Sequence, residues 1–196
     1  MQERPTPRTN RGPVKTWIAL LRGVNVGGKS TLPMKELRGL LEKLGHSDVA
    51  TYIQSGNCVF RSKNASASKI SEGIACAIEQ GFGFKPAVIT LSLKELDAAL
   101  KGNPFPNGEG DPKSIHLFFL AEVPPKADTA PLDALCKGDE AVILIRKVLY
   151  TYTPEGIGRS KMASNIGRFI PVEMTARNFR TTGKISELAH STEAAR

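Results

Sequence analysis

A link of only three residues, Gln54-Ser55-Gly56, separates two short β-strand patterns at 49–53 and 57–60. Parallel strands need a crossover connection of about a dozen residues or more, so a link this short joins antiparallel neighbours. The all-parallel sheets of doubly wound nucleotide-binding folds are therefore excluded for this part of the chain. The hairpin predicts an antiparallel sheet.

The segments around this hairpin complete one structural unit. A strand at 17–21 is apolar on both faces, as a covered central strand should be. A helix is expected from Pro33 onward, a second at 68–80, a strand at 86–91, and a third helix whose capping box is Ser92 and Glu95. The order β-α-β-β-α-β is that of the ferredoxin-like unit.

The breaker-rich stretch 103–112 is the expected linker to a second unit. Beyond it we predict a strand at 114–120, a short helix at 132–136, a hairpin of 141–145 with 149–153, a helix starting near Ser160, a strand at 172–175 and a last helix at 182–189. The predicted fold class is α+β, with two ferredoxin-like (β-α-β-β-α-β) halves at 16–102 and 113–189 and antiparallel sheets that carry helices on one face. Residues 1–15 are expected to be a disordered basic tail and 190–196 a C-terminal tail.

The charge of the chain points to an anionic partner. The formal net charge is +8, and apart from the basic tail it is concentrated between Arg159 and Lys184, where six basic residues face only Glu173. No apolar run approaches the length of a membrane helix, and no membrane partner is expected. The three cysteines are odd in number and far apart, which favours reduced thiols and a cytoplasmic location.

The segment 23–30, GVNVGGKS, matches the phosphate-binding pattern GxxxxGK[ST] letter for letter. A true loop of this kind needs a helix that starts at its Lys-Ser pair and a parallel sheet behind it. Here the helix waits for Pro33, and the hairpin forces an antiparallel sheet. We therefore interpret the match as a coincidence of letters, without the nucleotidase fold.

Three basic motifs are candidates for anion binding. A glycine loop flanked by cations can expose consecutive backbone N–H groups, and arginines beside an aromatic suit phosphate contact. The candidate anion-binding residues are Arg22, Asn25, Gly27, Gly28, Lys29, Arg159, Ser160, Lys161, Arg177, Asn178, Arg180 and Lys184. The alternative is that the glycines serve only positive φ angles and the cations form a solvated face.

Gln54, Ser55 and Asn57 offer amide and hydroxyl groups at the hairpin tip, where they would give specificity. The same residue types are also what a tight turn demands, so both interpretations stay open. The histidines are isolated from other metal ligands, no carboxylate pair or nucleophile motif stands out, and neither a metal nor another cofactor is implied. Whether the protein is an enzyme is left undecided.

Three segments carry a resemblance to a known family: 20–60, which begins LLRGVNVGGKS and ends YIQSGNCVF, 156–162, GIGRSKM, and 175–188, TARNFRTTGKISEL. Together they resemble the signature of the domain-of-unknown-function family DUF1697 over residues 16–189. The resemblance implies a bacterial soluble protein with two ferredoxin-like halves, and it implies no activity. Ser30, Phe179 and Gly183 depart from the residues that are usual in this family at their positions.

The first functional hypothesis is a non-catalytic binding protein for a phosphate-bearing partner, either nucleic acid or a nucleotide. It requires the basic motifs to converge on one surface. One alternative is an enzyme acting on a small phosphorylated metabolite in a cleft between the halves. Another is a structural protein that forms a homodimer through exposed sheet edges.

Overall fold

The computed structural model describes residues 13–28, 30–106, 111–126 and 128–195. Eight strands and seven helices follow one another in a repeated order. The elements are β1 Lys15–Leu21, α1 Met34–Lys43, β2 Ser47–Tyr52, β3 Asn57–Ser62, α2 Ala67–Phe82, β4 Val88–Ser92, α3 Leu93–Lys101, β5 Ile115–Leu120, α4 Ala130–Asp133, β6 Ala141–Ile145, β7 Val148–Tyr152, α5 Lys161–Ser164, α6 Ile166–Phe169, β8 Met174–Asn178 and α7 Phe179–Ala194.

Two four-stranded sheets have the same strand order, β2-β3-β1-β4 in the first half and β6-β7-β5-β8 in the second. All neighbouring strands are antiparallel. The predicted fold class, α+β with two ferredoxin-like halves, is therefore confirmed. The antiparallel sheet and the start of α1 at Met34 also confirm that the GxxxxGK[ST] match lies outside a nucleotidase fold.

The helices form three layers around the two sheets. Helices α1 and α2 cover the outer face of the first sheet, and α4 to α6 cover the outer face of the second. The expectation that helices lie on one face of each sheet is wrong, because the third helix of the first half and the last helix of the second lie on the inner faces. Helices α3 and α7 fill the space between the sheets and share one core with both inner faces. The sequence analysis did not anticipate this middle layer, which encloses each sheet from both sides.

Polar side chains define where the helices begin. The predicted capping box at α3 is present, because Ser92 Oγ accepts from Glu95 N–H while the Glu95 carboxylate accepts from Ser92 N–H. Ser160 caps α5 and Asn178 caps α7 in the same way, with their side-chain oxygens accepting from Ala163 and Thr181. The Asn178 cap fixes the chain direction where β8 ends and α7 begins.

Several predicted boundaries need correction. Strand β8 spans 174–178 rather than 172–175, because Asn178 caps the next helix and so belongs to the strand end. Helix α7 runs to Ala194, so most of the expected C-terminal tail is helical, where His190 contacts Asp97 of α3 at 3.0 Å. Lys15, assigned to the tail, starts β1. The rest of that tail, residues 1–12, lies outside the described residues.

Candidate functional site

Two loops meet at one end of the first sheet, and we call them the loop pair: residues 22–32, which follow β1, and residues 53–56, which link β2 to β3. They are adjacent because β1 and β3 run antiparallel, and Leu21 N–H donates to the Gly56 carbonyl at 2.9 Å. Gly56 is required there, since a Cβ atom would lie 2.7 Å from Leu21 Cβ and 2.8 Å from Val24 Cγ2. Of the predicted site residues that the structure describes, the loop pair contains six: Arg22, Asn25, Gly27, Gly28, Gln54 and Ser55.

The side chain of Asn25 joins the two loops. Its amide nitrogen donates to the carbonyls of Leu32 at 2.9 Å and Gln54 at 2.8 Å, and its oxygen accepts from Leu32 N–H at 2.8 Å. Asn25 itself has φ 55°, a left-handed conformation that Asn tolerates better than most residues. Its predicted role in ligand binding is therefore replaced by a structural one, since its amide is already engaged within the protein.

Arg177 fastens the second half to the loop pair. It lies in β8, is only 9% exposed, and uses every N–H of its guanidinium on protein acceptors. Nη2 donates to the carbonyls of Leu21 at 2.7 Å and Ser55 at 2.9 Å, while Nε donates to Asn57 Oδ1. The remaining N–H groups bind Thr175 Oγ1 and the Ala176 carbonyl at 2.9 and 2.7 Å.

Two predicted site residues are thereby corrected. Arg177 cannot contact phosphate, because all of its donors are spent inside the protein. Asn57 is 1% exposed, and its amide nitrogen donates to the Tyr52 carbonyl and to Ser55 Oγ at 3.0 and 3.1 Å. The amide and the guanidinium hold the hairpin tip in place and are out of reach of a ligand.

Burial changes the titration of groups around Arg177. Removal from water lowers the pKa of Arg177 to about 10, so the guanidinium is still charged at neutral pH. Burial also raises the pKa of the Cys58 thiol to about 12, against the opposing effect of the positive charges of Arg177 and Arg38. Cys58 lies in the buried strand β3, and a buried thiol that stays protonated does not act as a nucleophile.

Backbone strain is concentrated in the loop pair. Of the five non-glycine residues with positive φ among those described, three belong to it: Asn25, Ser30 and Ile53. Ile53 is the sharpest case, since a β-branched residue at φ 48° is sterically unfavourable and its side chain is 51% exposed. Val26 beside it is 66% exposed. The sequence patterns did not indicate that these two apolar side chains are exposed. Backbone strain of the kind seen at Ile53 clusters at functional sites.

Three exposed cations lie in or near the loop pair. Arg22 follows β1, and Arg180 and Lys184 lie in the first turns of α7, where their charges influence each other and Lys184 is close to Tyr52 of β2. The carboxylate of Glu187 accepts from Lys184 Nζ at 2.7 Å and raises the pKa of the ammonium. Within the described part of the chain, the guanidinium groups of Arg22 and Arg180 have no acidic partner.

A cleft connects the loop pair to the second half. It has a volume of about 600 Å³ and is lined by Arg22, Phe118, Ser164, Gly167, Glu173 and the first three residues of β8. Lys161 lies on the same one-turn helix as Ser164 and is exposed. The structure thus brings the glycine loop near the second basic motif, which includes Lys161. Arg22 belongs to the loop pair and also lines the cleft.

The remaining predicted residues are placed less favourably. Ser160 and Asn178 are helix caps, so their side-chain oxygens are already engaged. Arg159 is exposed in the 3-10 turn Ile157–Arg159, and no contact described here links it to the loop pair. Ser55 is half-buried, with Oγ accepting from Asn57. Gly27 and Gly28 have φ 62° and 71° and face open space. Lys29 lies outside the described residues.

Other kinds of site find less support in the described residues. No group of three or more His, Cys, Asp and Glu side chains among them is placed to hold a metal ion. No helix in these parts of the chain is both long and apolar enough to cross a bilayer. His116 is partly buried in β5, and burial lowers its pKa. The site that these residues favour is a basic surface around the loop pair.

Comparison with known proteins shows which structures and which family this chain resembles. The chain is similar in structure to the conserved bacterial protein SP0830 from Streptococcus pneumoniae, with a TM-score of 0.69 and 25% sequence identity over 90% of this chain and 99% of that one. The comparison with curated proteins gave no match. A family model described as a protein of unknown function, DUF1697, matches residues 14–150, which include the loop pair and most of both sheets. This chain therefore belongs to the DUF1697 family.

Proposed function

We propose that this protein binds a nucleic acid on the loop pair, with Arg22, Arg180 and Lys184 in contact with its phosphates. The observation that carries the proposal is that exposed cations from both halves lie in or near loops that a buried network holds in place. Ordered loops lose little conformational entropy on binding, so their cations are already positioned for a partner. Phosphate contacts supply most of the affinity in such complexes.

The surface between these cations suits the bases of a nucleic acid. Val26 and Ile53 expose apolar side chains, and the exposed amide of Gln54 has a donor and an acceptor for a base edge. An open surface with cations spread along it fits a polyanion better than a single small phosphate. This arrangement supports the nucleic-acid hypothesis over the nucleotide one.

A second candidate function is enzymatic action on a small phosphorylated metabolite in the cleft between the halves. The observation in its favour is that the cleft places the Arg22 cation, the Ser164 hydroxyl and the Glu173 carboxylate around one space of about 600 Å³. The two functions share Arg22, but Arg180 and Lys184 line only the surface that the first proposal uses.

Fluorescence anisotropy with labelled single- and double-stranded RNA and DNA oligomers tests the first proposal. We expect Arg22→Ala, and the pair Arg180→Ala with Lys184→Ala, each to weaken binding about tenfold at low salt, or about 1.4 kcal/mol. Lys43→Ala and Lys63→Ala are matched controls, because both are exposed cations at the opposite end of the β2–β3 hairpin. The basic N-terminal residues are present in every variant and cancel from the comparison.

The outcomes separate the two functions. Equal loss in the control variants would mean binding by overall charge and would contradict the proposal, as would no binding by the unmodified protein. Thermal-shift screening of nucleotides and sugar phosphates then tests the cleft. Stabilisation that Arg22→Ala removes and the Arg180–Lys184 pair of substitutions retains would favour the enzymatic alternative.

A further inference from the structure

Strand β6 is an unprotected edge of the second sheet. It is the terminal strand in the order β6-β7-β5-β8, and its sequence AVILI is apolar at every position. Its register with β7 is continuous from Ala141 to Ile145. Ile143 and Ile145 are 39% and 41% exposed on the inner face of the sheet. A flat apolar edge of this kind is a template for pairing with another strand.

The equivalent edge of the first sheet is protected in several ways. Strand β2 has polar residues at its start, a shift of register between Ser47 and Ala50, and Asp48 at φ 53°. Arg61 of β3 pairs with Asp48 at 3.6 Å. Charges and bulges on an edge prevent further pairing. The same fold thus blocks one edge and leaves the topologically equivalent one open.

The two edge strands also differ in how far a middle helix extends across their inner faces. Helix α7 has 16 residues and packs across β1, β2 and β3 of the first sheet. Helix α3 has only nine, and its carbonyl at Ala99 accepts from Tyr150 Oη of β7 at 2.8 Å. It therefore reaches β7 but does not extend over the inner face of β6. An apolar groove of about 370 Å³ lies there along Ile145, Val148 and Val123.

The charges at the two ends of β6 make this edge complementary to itself. Asp139 and Glu140 precede the strand, and Arg146 and Lys147 follow it. When two copies of such a segment run antiparallel, the acidic start of one lies opposite the basic end of the other. Arg146 and Asp139 are exposed and have no ion pair among the described residues, so both are free to face a second copy.

We infer that β6 pairs antiparallel with β6 of a second copy of this chain, joining two second-half sheets into one eight-stranded sheet. The register that matches every charge places Ile143 opposite Ile143, Val142 opposite Leu144 and Glu140 opposite Arg146. It also places Asp139 opposite Lys147. A two-fold axis passes beside Ile143, as an isologous interface requires.

The backbone of β6 fits this register. Ile145 and Val148 flank the two-residue turn and form a hydrogen-bonded pair. From there, every second residue of β6 directs its N–H and C=O groups to β7. The N–H and C=O groups of Val142 and Leu144 then point to the free edge. They meet each other in the proposed register, while the central Ile143 residues form the close pair without hydrogen bonds. Five residues make a small interface, so the dimer is expected to be weak.

Disulfide cross-linking tests the register. In a chain with Cys76→Ser and Cys136→Ser, Ile143→Cys places two thiols on opposed residues about 4.5 Å apart at Cα, within the range of a disulfide. We expect mild oxidation to give a covalent dimer. The matched control is Ile145→Cys, whose two thiols lie four residues, or roughly 13 Å, out of register. Cys58 is fully buried and stays in place. Equal cross-linking of both variants, or of neither, would overturn the proposal.

Charge reversal gives a second test by sedimentation velocity over micromolar to millimolar concentrations. Glu140→Lys or Arg146→Glu alone puts like charges opposite each other and should weaken dimerisation about tenfold or more, whereas the double variant should restore it. Restoration also excludes loss of the contact between Glu140 and Lys137 N–H as the cause. A wild-type chain that stays monomeric throughout, or a double variant no better than the single ones, would contradict the pairing.

Discussion

The two halves have the same strand order, but they differ in how much of their surface the other half covers. The first half receives α7 across its inner face and Arg177 beneath its loop pair, both from the second half. The second half receives only the short α3, anchored through Tyr150. The first half is therefore closed and held at one end, while the second keeps an open edge at β6.

This asymmetry assigns different tasks to the two halves. A loop pair with strained residues persists only when the surrounding structure over-determines it, and here Arg177 and Asn25 supply that constraint. An open apolar edge persists only when something covers it. We expect the loop pair of the first half, together with the cations of α7, to form the binding surface, and the open edge of the second half to form the contact between copies.

Replacing Arg177 should have the largest effect on stability. Arg177→Met leaves Asn57 Oδ1 and the Ser55 carbonyl without their guanidinium donor, and the Leu21 carbonyl with only the Thr175 hydroxyl, which should lower the free energy of unfolding by about 3–5 kcal/mol. Urea denaturation measures this loss. Arg168→Met is the matched control, since Arg168 is exposed and only lies over the Phe169 ring. Similar losses in both variants would mean that the halves do not depend on the Arg177 network.

Replacing Tyr150 should have a smaller effect that depends on pH. Tyr150→Phe removes the hydrogen bond to Ala99 and should cost about 1 kcal/mol at neutral pH. Burial raises the pKa of Tyr150 to about 12, whereas an unfolded tyrosine has a pKa of about 10.

The sign of the pH effect follows from these two values. Above pH 10 the unfolded chain loses the phenolic proton while the folded chain keeps it, so the wild-type protein loses stability there as pH rises. The gap in stability between wild type and Tyr150→Phe should stay constant below about pH 9 and narrow above pH 10. Urea denaturation from pH 7 to 11 checks this. A gap that stays constant or widens above pH 10 would show that Tyr150 is not held protonated between the halves.

Relieving strain at the two hairpin turns should have the smallest effect. Ile53 and Arg146 have φ 48° and 55°, conformations that glycine adopts without steric cost. Ile53→Gly should raise the free energy of unfolding by roughly 0.5–1 kcal/mol, because a β-branched residue is penalised most there. Arg146→Gly should change it less. Urea midpoints compare the two, and a greater gain at Arg146 would contradict the assignment of strain to the loop pair.

The fold could be predicted because its determinants are local. The three-residue link at Gln54-Ser55-Gly56, the capping box at Ser92 and the helix start near Ser160 each depend on a few neighbouring residues, and all three form as expected. The middle layer could not be predicted, because α3 and α7 cover the sheet of the opposite half as well as their own, and nothing local records that packing.

The candidate site was only partly predictable for the same reason. Arg22, Arg180 and Lys184 are exposed cations, as the basic sequence motifs suggested. Arg177 belongs to the same basic motif, yet it contacts Ser55 and Asn57 more than 100 positions away. A one-dimensional pattern cannot separate a buried guanidinium from an exposed one, because burial is decided by the other half of the chain.

The salt dependence of nucleic-acid binding tests the central claim most directly. For the wild-type chain and for the triple variant Arg22→Ala, Arg180→Ala and Lys184→Ala, the slope of the logarithm of the binding constant against the logarithm of salt concentration counts phosphate contacts. With about 0.7 per contact on a single strand, the triple variant should have a slope shallower by about 2. An unchanged slope would mean that these cations do not contact phosphate, and that the loop pair is not the binding surface.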